Sequence, residues 1–156
     1  MAKRTPIYDF HVSAGARMVD FAGWEMPIMY RSIVAEHEQT RRSGGIFDVS
    51  HMGRLSFSGV DAFKFLNRIA TRKLDDAKIG QSKYSLVCNS AGGVLDDVII
   101  SRDQKNWVMV CNASNRDKDL AHLRKYIAAF DCTMIDISDS IALLAIQENP
   151  FAGGPL

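Results

Sequence analysis

Residues 83–112 constrain the fold most, because three β-prone runs alternate there with short turn signals. The extended runs are residues 84–88, 94–101 and 107–111. Residues 89–93, Asn-Ser-Ala-Gly-Gly, form the first turn, since glycine adopts the positive φ that tight turns require. Short strands separated by turns of this length predict an antiparallel meander.

Helical and extended patterns alternate along the rest of the chain. We expect a first helix at residues 32–43, which ends before Gly44 and Gly45. A second helix is expected to follow the cap Asp61, and a third is expected to run from the cap Asn115 to about Phe130. Further extended runs are expected at residues 18–27 up to a break at Pro27, 46–58, 132–137 and 141–146. This order predicts an α+β fold, in which helices pack on an antiparallel sheet.

The length bounds the domain organisation. A chain of 156 residues fits one domain with a workable core. We expect a single domain over residues 1–147. The glycine-rich and proline-containing residues 148–156 are expected to form a loop-like tail.

Charge and cysteine content exclude several classes of function. The 19 basic and 18 acidic residues give a net charge of +1, and no aromatic ribonucleoprotein motif is present, so we expect no nucleic-acid partner. No apolar run is long enough to span a bilayer, and residues 1–6 lack the apolar stretch of a signal peptide, so we expect no membrane partner. Three widely spaced cysteines suit a reducing compartment, which favours a cytoplasmic location, and no metal-ligand spacing appears.

Asp96 and Asp97 are the most informative candidates for chemistry. Side chains alternate between the faces of a strand, so each carboxylate has apolar neighbours on its own face of the run 94–100. Lost hydration raises the pKa of a carboxyl group unless a donor compensates. Such an acid can transfer a proton or bind a ligand N–H group, but a solvated pair at a strand edge fits the same pattern.

Residues 48–52, Asp-Val-Ser-His-Met, form a second polar cluster. His51 can act as a base and Ser50 as a nucleophile, but neither a nucleophile elbow nor a partnered acid is evident. We therefore favour a turn whose side chains bond to the backbone.

Five longer motifs stand in order along the chain. They are residues 4–11 (Arg-Thr-Pro-Ile-Tyr-Asp-Phe-His), 18–27 (Met-Val-Asp-Phe-Ala-Gly-Trp-Glu-Met-Pro), 45–53 (Gly-Ile-Phe-Asp-Val-Ser-His-Met-Gly), 89–97 (Asn-Ser-Ala-Gly-Gly-Val-Leu-Asp-Asp) and 142–147 (Ala-Leu-Leu-Ala-Ile-Gln). Together they resemble the amino-terminal part of the glycine cleavage system T protein, an aminomethyltransferase. The resemblance covers nearly the whole chain and implies the folate-binding domain of that family.

The resemblance also implies a function. T proteins take the methylene of an aminomethyl group carried on the lipoyl arm of the H protein, transfer it to tetrahydrofolate and release ammonia. The family's catalytic aspartate corresponds to Asp97. Other folate contacts correspond to Met52, Tyr84, Ile99, Val110 and Asn112. The residues alone agree in one respect, because members of the pairs Asp97 and Ile99, and Val110 and Asn112, are two apart and share a face.

The end of the chain departs from the family. T proteins continue well past Leu156, and Glu148-Asn149-Pro150 stand where the family usually has Gly-Pro, so we expect a truncated chain with a divergent tail. An apolar surface left open by the truncation would favour self-association. The alternative function is a non-catalytic folate-binding or assembly module that needs a second chain. The related iron–sulfur maturation factor fits less well, because its Lys-Gly-Cys-Tyr-type motif is absent.

Overall fold

A computed structural model describes residues 2–148. Its elements are β1 (Lys3–Arg4), α1 (Tyr8–Ser13), β2 (Arg17–Phe21), β3 (Trp24–Met29), α2 (Ile33–Arg42), β4 (Gly45–Asp48), β5 (Gly53–Ser58), α3 (Ala62–Ile69), β6 (Ser82–Cys88), β7 (Val94–Arg102), β8 (Trp107–Cys111), α4 (Arg116–Ile127), β9 (Thr133–Asp136) and β10 (Leu144–Gln147). A 3₁₀ turn at Ala113–Asn115 leads into α4. Within this part of the chain, no helix is long and apolar enough to cross a membrane.

The described chain divides into two compact units. The first comprises residues 2–51 and 141–148, and the second comprises residues 52–140. Our expectation of a single domain over residues 1–147 stays a prediction. The expected tail lies, beyond Glu148, outside the described residues.

The first unit contains a three-stranded sheet in the order β1-β3-β2. We expected Pro27 to break the strand, but it lies inside β3 and pairs with Met18 of β2. The reason is that β1 pairs with β3 only as far as Glu25, so no ladder on that side requires an N–H group from residue 27. The prediction of a break was therefore wrong.

A helix and a two-stranded sheet complete the first unit. Helix α2 begins after Ser32, whose Oγ accepts a hydrogen bond from the Ala35 N–H at 3.4 Å, and it ends before Gly44, as the sequence predicted. Strands β4 and β10 pair antiparallel, with Ile46 opposite Ile146.

The second unit is built on a five-stranded sheet in the order β6-β7-β8-β5-β9. Every neighbouring pair is antiparallel. Strands β6, β7 and β8 confirm the predicted meander. The extended run expected at residues 46–58 is interrupted at residues 49–52, so it forms the two separate strands β4 and β5.

One face of this sheet and two helices enclose the core of the second unit. Helix α3 contributes Phe65 and Leu66, and α4 contributes Leu120 and Leu123. The sheet contributes buried residues that alternate with less buried ones along β6, β7 and β8, together with two residues of β5, namely Val87, Val98, Ile100, Trp107, Met109, Cys111, Leu55 and Phe57. Because successive side chains of a strand point to opposite faces, the residues between these core residues project from the other face of the meander.

Two predicted helix caps occupy the expected positions without capping. Asp61 precedes α3, but its carboxylate accepts hydrogen bonds from Lys64 Nζ at 2.7 Å and the Asp131 N–H at 3.2 Å. Asn115 precedes α4, and its side chain donates to Asp96. Tertiary partners therefore replace the local cap at both helix starts.

Candidate functional site

Strand β7 presents its two acidic residues to opposite faces of the sheet. Asp96 is 3% exposed and shares the core face with Val98 and Ile100. Asp97 is exposed and shares the outer face with Ile99. The alternation predicted from sequence therefore places one carboxylate in the interior and the other at the surface.

An apolar row crosses the outer face of the meander. Tyr84 of β6 pairs with Ile99 of β7, which pairs in turn with Val110 of β8. Tyr84 is 62% exposed and Ile99 is 45% exposed, so the row is open to solvent. Three side chains in register make a platform on which a flat ligand can lie.

Asp97 is held beside this platform by two side chains. The Tyr84 hydroxyl donates to Oδ2 at 3.3 Å, and Asn112 Nδ2 donates to Oδ1 at 2.9 Å. Partial burial of the hydroxyl and the neighbouring Asp97 carboxylate raise the pKa of Tyr84. An ionised carboxylate offers about four acceptor positions, so these two bonds leave Asp97 able to accept further hydrogen bonds.

Met52 lies beside the same end of the meander. Gly53 of β5 pairs with Cys111 of β8, so in the antiparallel register the preceding Met52 lies where Asn112 follows β8. Four of the six residues that the family resemblance implicated therefore lie on the sheet, and Asn112 and Met52 lie at the end of β8 and the start of β5.

Asp96 anchors Asn112 from the buried side. The Asn112 backbone N–H donates to Asp96 Oδ2 at 2.9 Å, and Asn112 Nδ2 donates to Oδ1 at 2.9 Å, where Asn115 Nδ2 also donates. Burial acts to raise the pKa of Asp96, but hydrogen bonds from Asn112, Asp119 and Asn115 outweigh it and hold that pKa below its usual value. Asp96 therefore has the hydrogen-bond donors that a buried carboxyl group needs to compensate for its lost hydration.

Asp119 is a residue that sequence reasoning missed. It lies in the first turns of α4, and its side chain is fully buried against Asp96 and Cys111. Burial, together with the Asp96 carboxyl group, raises the pKa of Asp119 to about 7. Its position four residues before Leu123, on the core-facing side of α4, was the available signal.

The cluster at residues 48–52 forms a turn, as the favoured interpretation predicted. Ser50 N–H donates to Asp48 Oδ1 at 2.9 Å, and Ser50 Oγ accepts from the Leu143 N–H at 3.0 Å. The His51 ring lies edge-on to Phe21, with ring centroids 5.6 Å apart. These contacts give Ser50 and His51 structural roles in the first unit.

A cavity of about 540 Å³ in the first unit has a mainly apolar wall that includes His11, Tyr30 and Asp48. The two ring nitrogens of His11 bond to Tyr30 Oη at 2.6 Å and to Asp48 Oδ2 at 2.9 Å. Because these polar groups satisfy one another, they explain the packing of the unit better than they explain a reactive site. None of the six predicted site residues lines this cavity.

The fold and the outer face of the meander define an α+β protein with an exposed aspartate beside an apolar platform. Residues 7–149 match the GCVT N-terminal domain family, and the chain belongs to this family. The fold class and the T-protein resemblance predicted from sequence are thereby confirmed.

Individual relatives agree with this assignment. The chain is 47% identical to an aminomethyltransferase of Rubrobacter xylanophilus, covering 99% of this chain and 43% of the relative. It is 44% identical to an aminomethyltransferase of Deinococcus deserti, covering 93% and 41%. A crystal structure of glycine cleavage system aminomethyltransferase T from Bartonella henselae superposes with a TM-score of 0.86 at 38% identity, covering 94% of this chain and 41% of that one. The chain therefore spans less than half the length of these relatives.

Proposed function

We propose that this chain is the tetrahydrofolate-binding part, bearing Asp97, of an aminomethyltransferase of the glycine cleavage system. The observation that carries the proposal is the arrangement of Asp97, anchored by Tyr84 and Asn112 beside an apolar platform while it keeps acceptor capacity. Membership of the family and the names of the relatives support the same reaction.

In the proposed reaction, the aminomethyl group enters on a sulfur of the lipoyl arm of the H protein. The C–N bond to ammonia and the C–S bond to the arm break, and the carbon forms bonds to two folate nitrogens, which lose their protons. Ammonia and a dihydrolipoyl thiol are the products beside methylenetetrahydrofolate. The methylene carbon is iminium-like during transfer, so it carries positive charge.

Asp97 has two tasks in this proposal. Its free acceptor positions bind an N–H group of the folate and so orient the attacking nitrogen towards the carbon. Its negative charge also stabilises the iminium-like carbon, as a fixed carboxylate does for any developing cation. Tyr84 and Asn112 hold the carboxylate in position, so neither task requires it to reorient.

The remaining site residues shape the folate pocket. Tyr84, Ile99 and Val110 supply a surface on which an aromatic ring system can pack, and Met52 borders it. Because the chain covers 43% of its Rubrobacter relative, the rest of the pocket and the contacts with the H protein belong, in this proposal, to further polypeptide.

The alternative proposal is a non-catalytic folate-binding or assembly module that needs a second chain. One observation favours it. Ile46 and Ile146 face each other across β4 and β10, and they are 68% and 77% exposed. A pair of exposed isoleucines on a two-stranded sheet favours burial against another polypeptide, including a second copy of this chain.

A turnover assay tests the proposal. The purified chain is incubated with tetrahydrofolate and H protein carrying the aminomethyl group, alone and with the carboxy-terminal part of the Rubrobacter xylanophilus aminomethyltransferase, and ammonia release is measured. We expect turnover in the mixture, a fall of about 100-fold or more with Asp97→Asn, and no change with Asp103→Asn, an exposed turn residue. Absence of turnover in both conditions would favour the inactive module.

A further inference from the structure

We propose that Asp96 and Asp119 are positioning residues for Asp97: they share one proton, and this proton keeps Asn112 oriented to anchor the Asp97 carboxylate. The consequence for Asp97 rests on the proposed function of the outer face. The shared proton itself is a property of the chain without folate, so the two are tested separately.

The geometry requires that the two buried acids be considered together. Asp96 is 3% exposed and Asp119 is 0% exposed. A carboxyl oxygen of each and the Sγ of Cys111 lie within 4.8 Å of one another. Two ionised carboxylates that are this close and buried away from water repel each other strongly, so the pair binds a proton and titrates as one unit.

The hydrogen bonds decide which member holds the proton. Both oxygens of Asp96 accept N–H groups, two from Asn112 and one from Asn115, and these donors favour the ionised form. In the described part of the chain, no nitrogen or hydroxyl donor reaches either oxygen of Asp119. The Cys111 thiol also donates to Asp119 and acts to lower its pKa, but a thiol is a weak donor. The proton therefore resides on Asp119 and is donated to Asp96, which gives both buried carboxyl groups a strong hydrogen-bond partner.

The other charged groups around the pair are consistent with this assignment. Burial and the nearby carboxylates raise the pKa of the Cys111 thiol to about 12, so the thiol on β8 is neutral. Lys118 on α4 acts to lower the pKa of Asp119, without preventing a value of about 7. Asp136 on β9 is paired with Arg116 at 2.8 Å.

A proton fits this cluster better than a metal ion does. A cation at Asp96 would meet the N–H hydrogens of Asn112 and Asn115, which already point at both carboxylate oxygens. The thiol is also a poor ligand until it ionises. A proton on Asp119 requires neither that these N–H groups turn away from Asp96 nor that the thiol ionises.

Asn112 transmits the state of the buried pair to the surface. Its Nδ2 donates to Asp96 Oδ1 and to Asp97 Oδ1, both at 2.9 Å. When Asp119 loses its proton, repulsion displaces Asp96 and Asn112 follows its acceptor. Asp97 then loses one of its two anchoring bonds, so we expect folate affinity to fall as the pH rises through about 7.

The same proton sets a pH dependence of stability. The pKa of Asp119 is raised from 3.8 to about 7 on folding, so the folded chain binds more protons than the unfolded chain between these values. The resulting stabilisation is complete below the unfolded pKa and is lost as the pH rises through the folded pKa.

Asp119→Asn is the decisive variant, because its amide keeps a donor towards Asp96 and cannot ionise. Asp117→Asn, at an exposed position of the same helix turn, is the matched control. Urea unfolding without folate is measured from about pH 5 to about pH 9, together with carbon-13 NMR of the aspartate carboxyl groups. We expect one carboxyl to titrate near 7 in the wild type and the control, and this signal to be absent in Asp119→Asn. If every carboxyl titrates below about 5, the shared proton is refuted.

Tetrahydrofolate titrations at about pH 6 and about pH 8.5 then test the positioning role. We expect a loss of affinity of about fivefold or more at the higher pH in the wild type and the control, about twofold or less in Asp119→Asn, and a loss of about tenfold at both pH values in Asp96→Asn. Equal pH dependence in the wild type and Asp119→Asn would overturn the positioning role. If the wild type binds no folate at either pH, the proposed function fails, whereas the NMR titration still decides whether the proton is shared.

Discussion

At the scale of single residues, Asn112 connects the interior of the second unit to its surface. One amide group serves the buried Asp96 and the exposed Asp97, so the pair that looks redundant in sequence has two different roles. The alternation of faces along β7 predicted that separation. Neither Asn115 nor Asp119 could be assigned to Asp96 from spacing, because the helix that carries them meets β7 only through the fold.

Gly53 shows why the last residue of the motif at positions 45–53 is a glycine. A Cβ atom there would collide with Cys111 Sγ and lie 3.3 Å from the Arg116 side chain. Gly53→Ala should therefore destabilise the chain by about 1–3 kcal/mol, in the range of overpacked cores. Urea unfolding measures this, with Ser58→Ala at the half-buried end of β5 as control. Equal stability of Gly53→Ala and the wild type would show that the site has room for a methyl group.

At the scale of elements, local patterns predicted the parts of the fold that depend on local interactions. The meander of β6, β7 and β8 combined β-prone runs with turn residues, and Asn89 Oδ1 accepts the N–H groups of Ala91 and Gly93 within the first turn. Errors arose where tertiary neighbours decide. Pro27 is tolerated because β1 is short, and the run at residues 46–58 is broken because Ser50 bonds to Leu143, 93 residues away.

The hairpin of β2 and β3 contains a strained position that can be relieved. Its loop places Ala22 at φ 52° and Gly23 at φ 81°. A left-handed conformation costs an L-residue roughly 1–2 kcal/mol, so Ala22→Gly removes more strain than it adds in unfolded-state entropy. We expect stability to rise by about 0.5 kcal/mol in thermal unfolding. Ala14→Gly, at φ −78°, should instead lower stability, and a fall for both variants would contradict the account.

At the scale of the whole molecule, the described chain has two compact units, and all six predicted site residues belong to the second. Composition bounded the size of the core but did not predict this division, because residues 141–148 join the first unit through the pairing of β10 with β4. The site was predicted through family motifs together with strand alternation. The strand pattern alone indicated only that Asp96 or Asp97 was a candidate.

The proposed folate site consists of Asp97 and the outer face around it, and calorimetric titration of the chain with tetrahydrofolate measures whether this site binds the ligand. We expect saturable binding to the wild type, with affinity reduced about tenfold or more in Asp97→Ala, because the carboxylate and its charge-assisted hydrogen bonds are lost. Asp103→Ala, in the turn after β7, should bind like the wild type. Equal affinity of Asp97→Ala and the wild type, or no binding by the folded chain, would contradict the account.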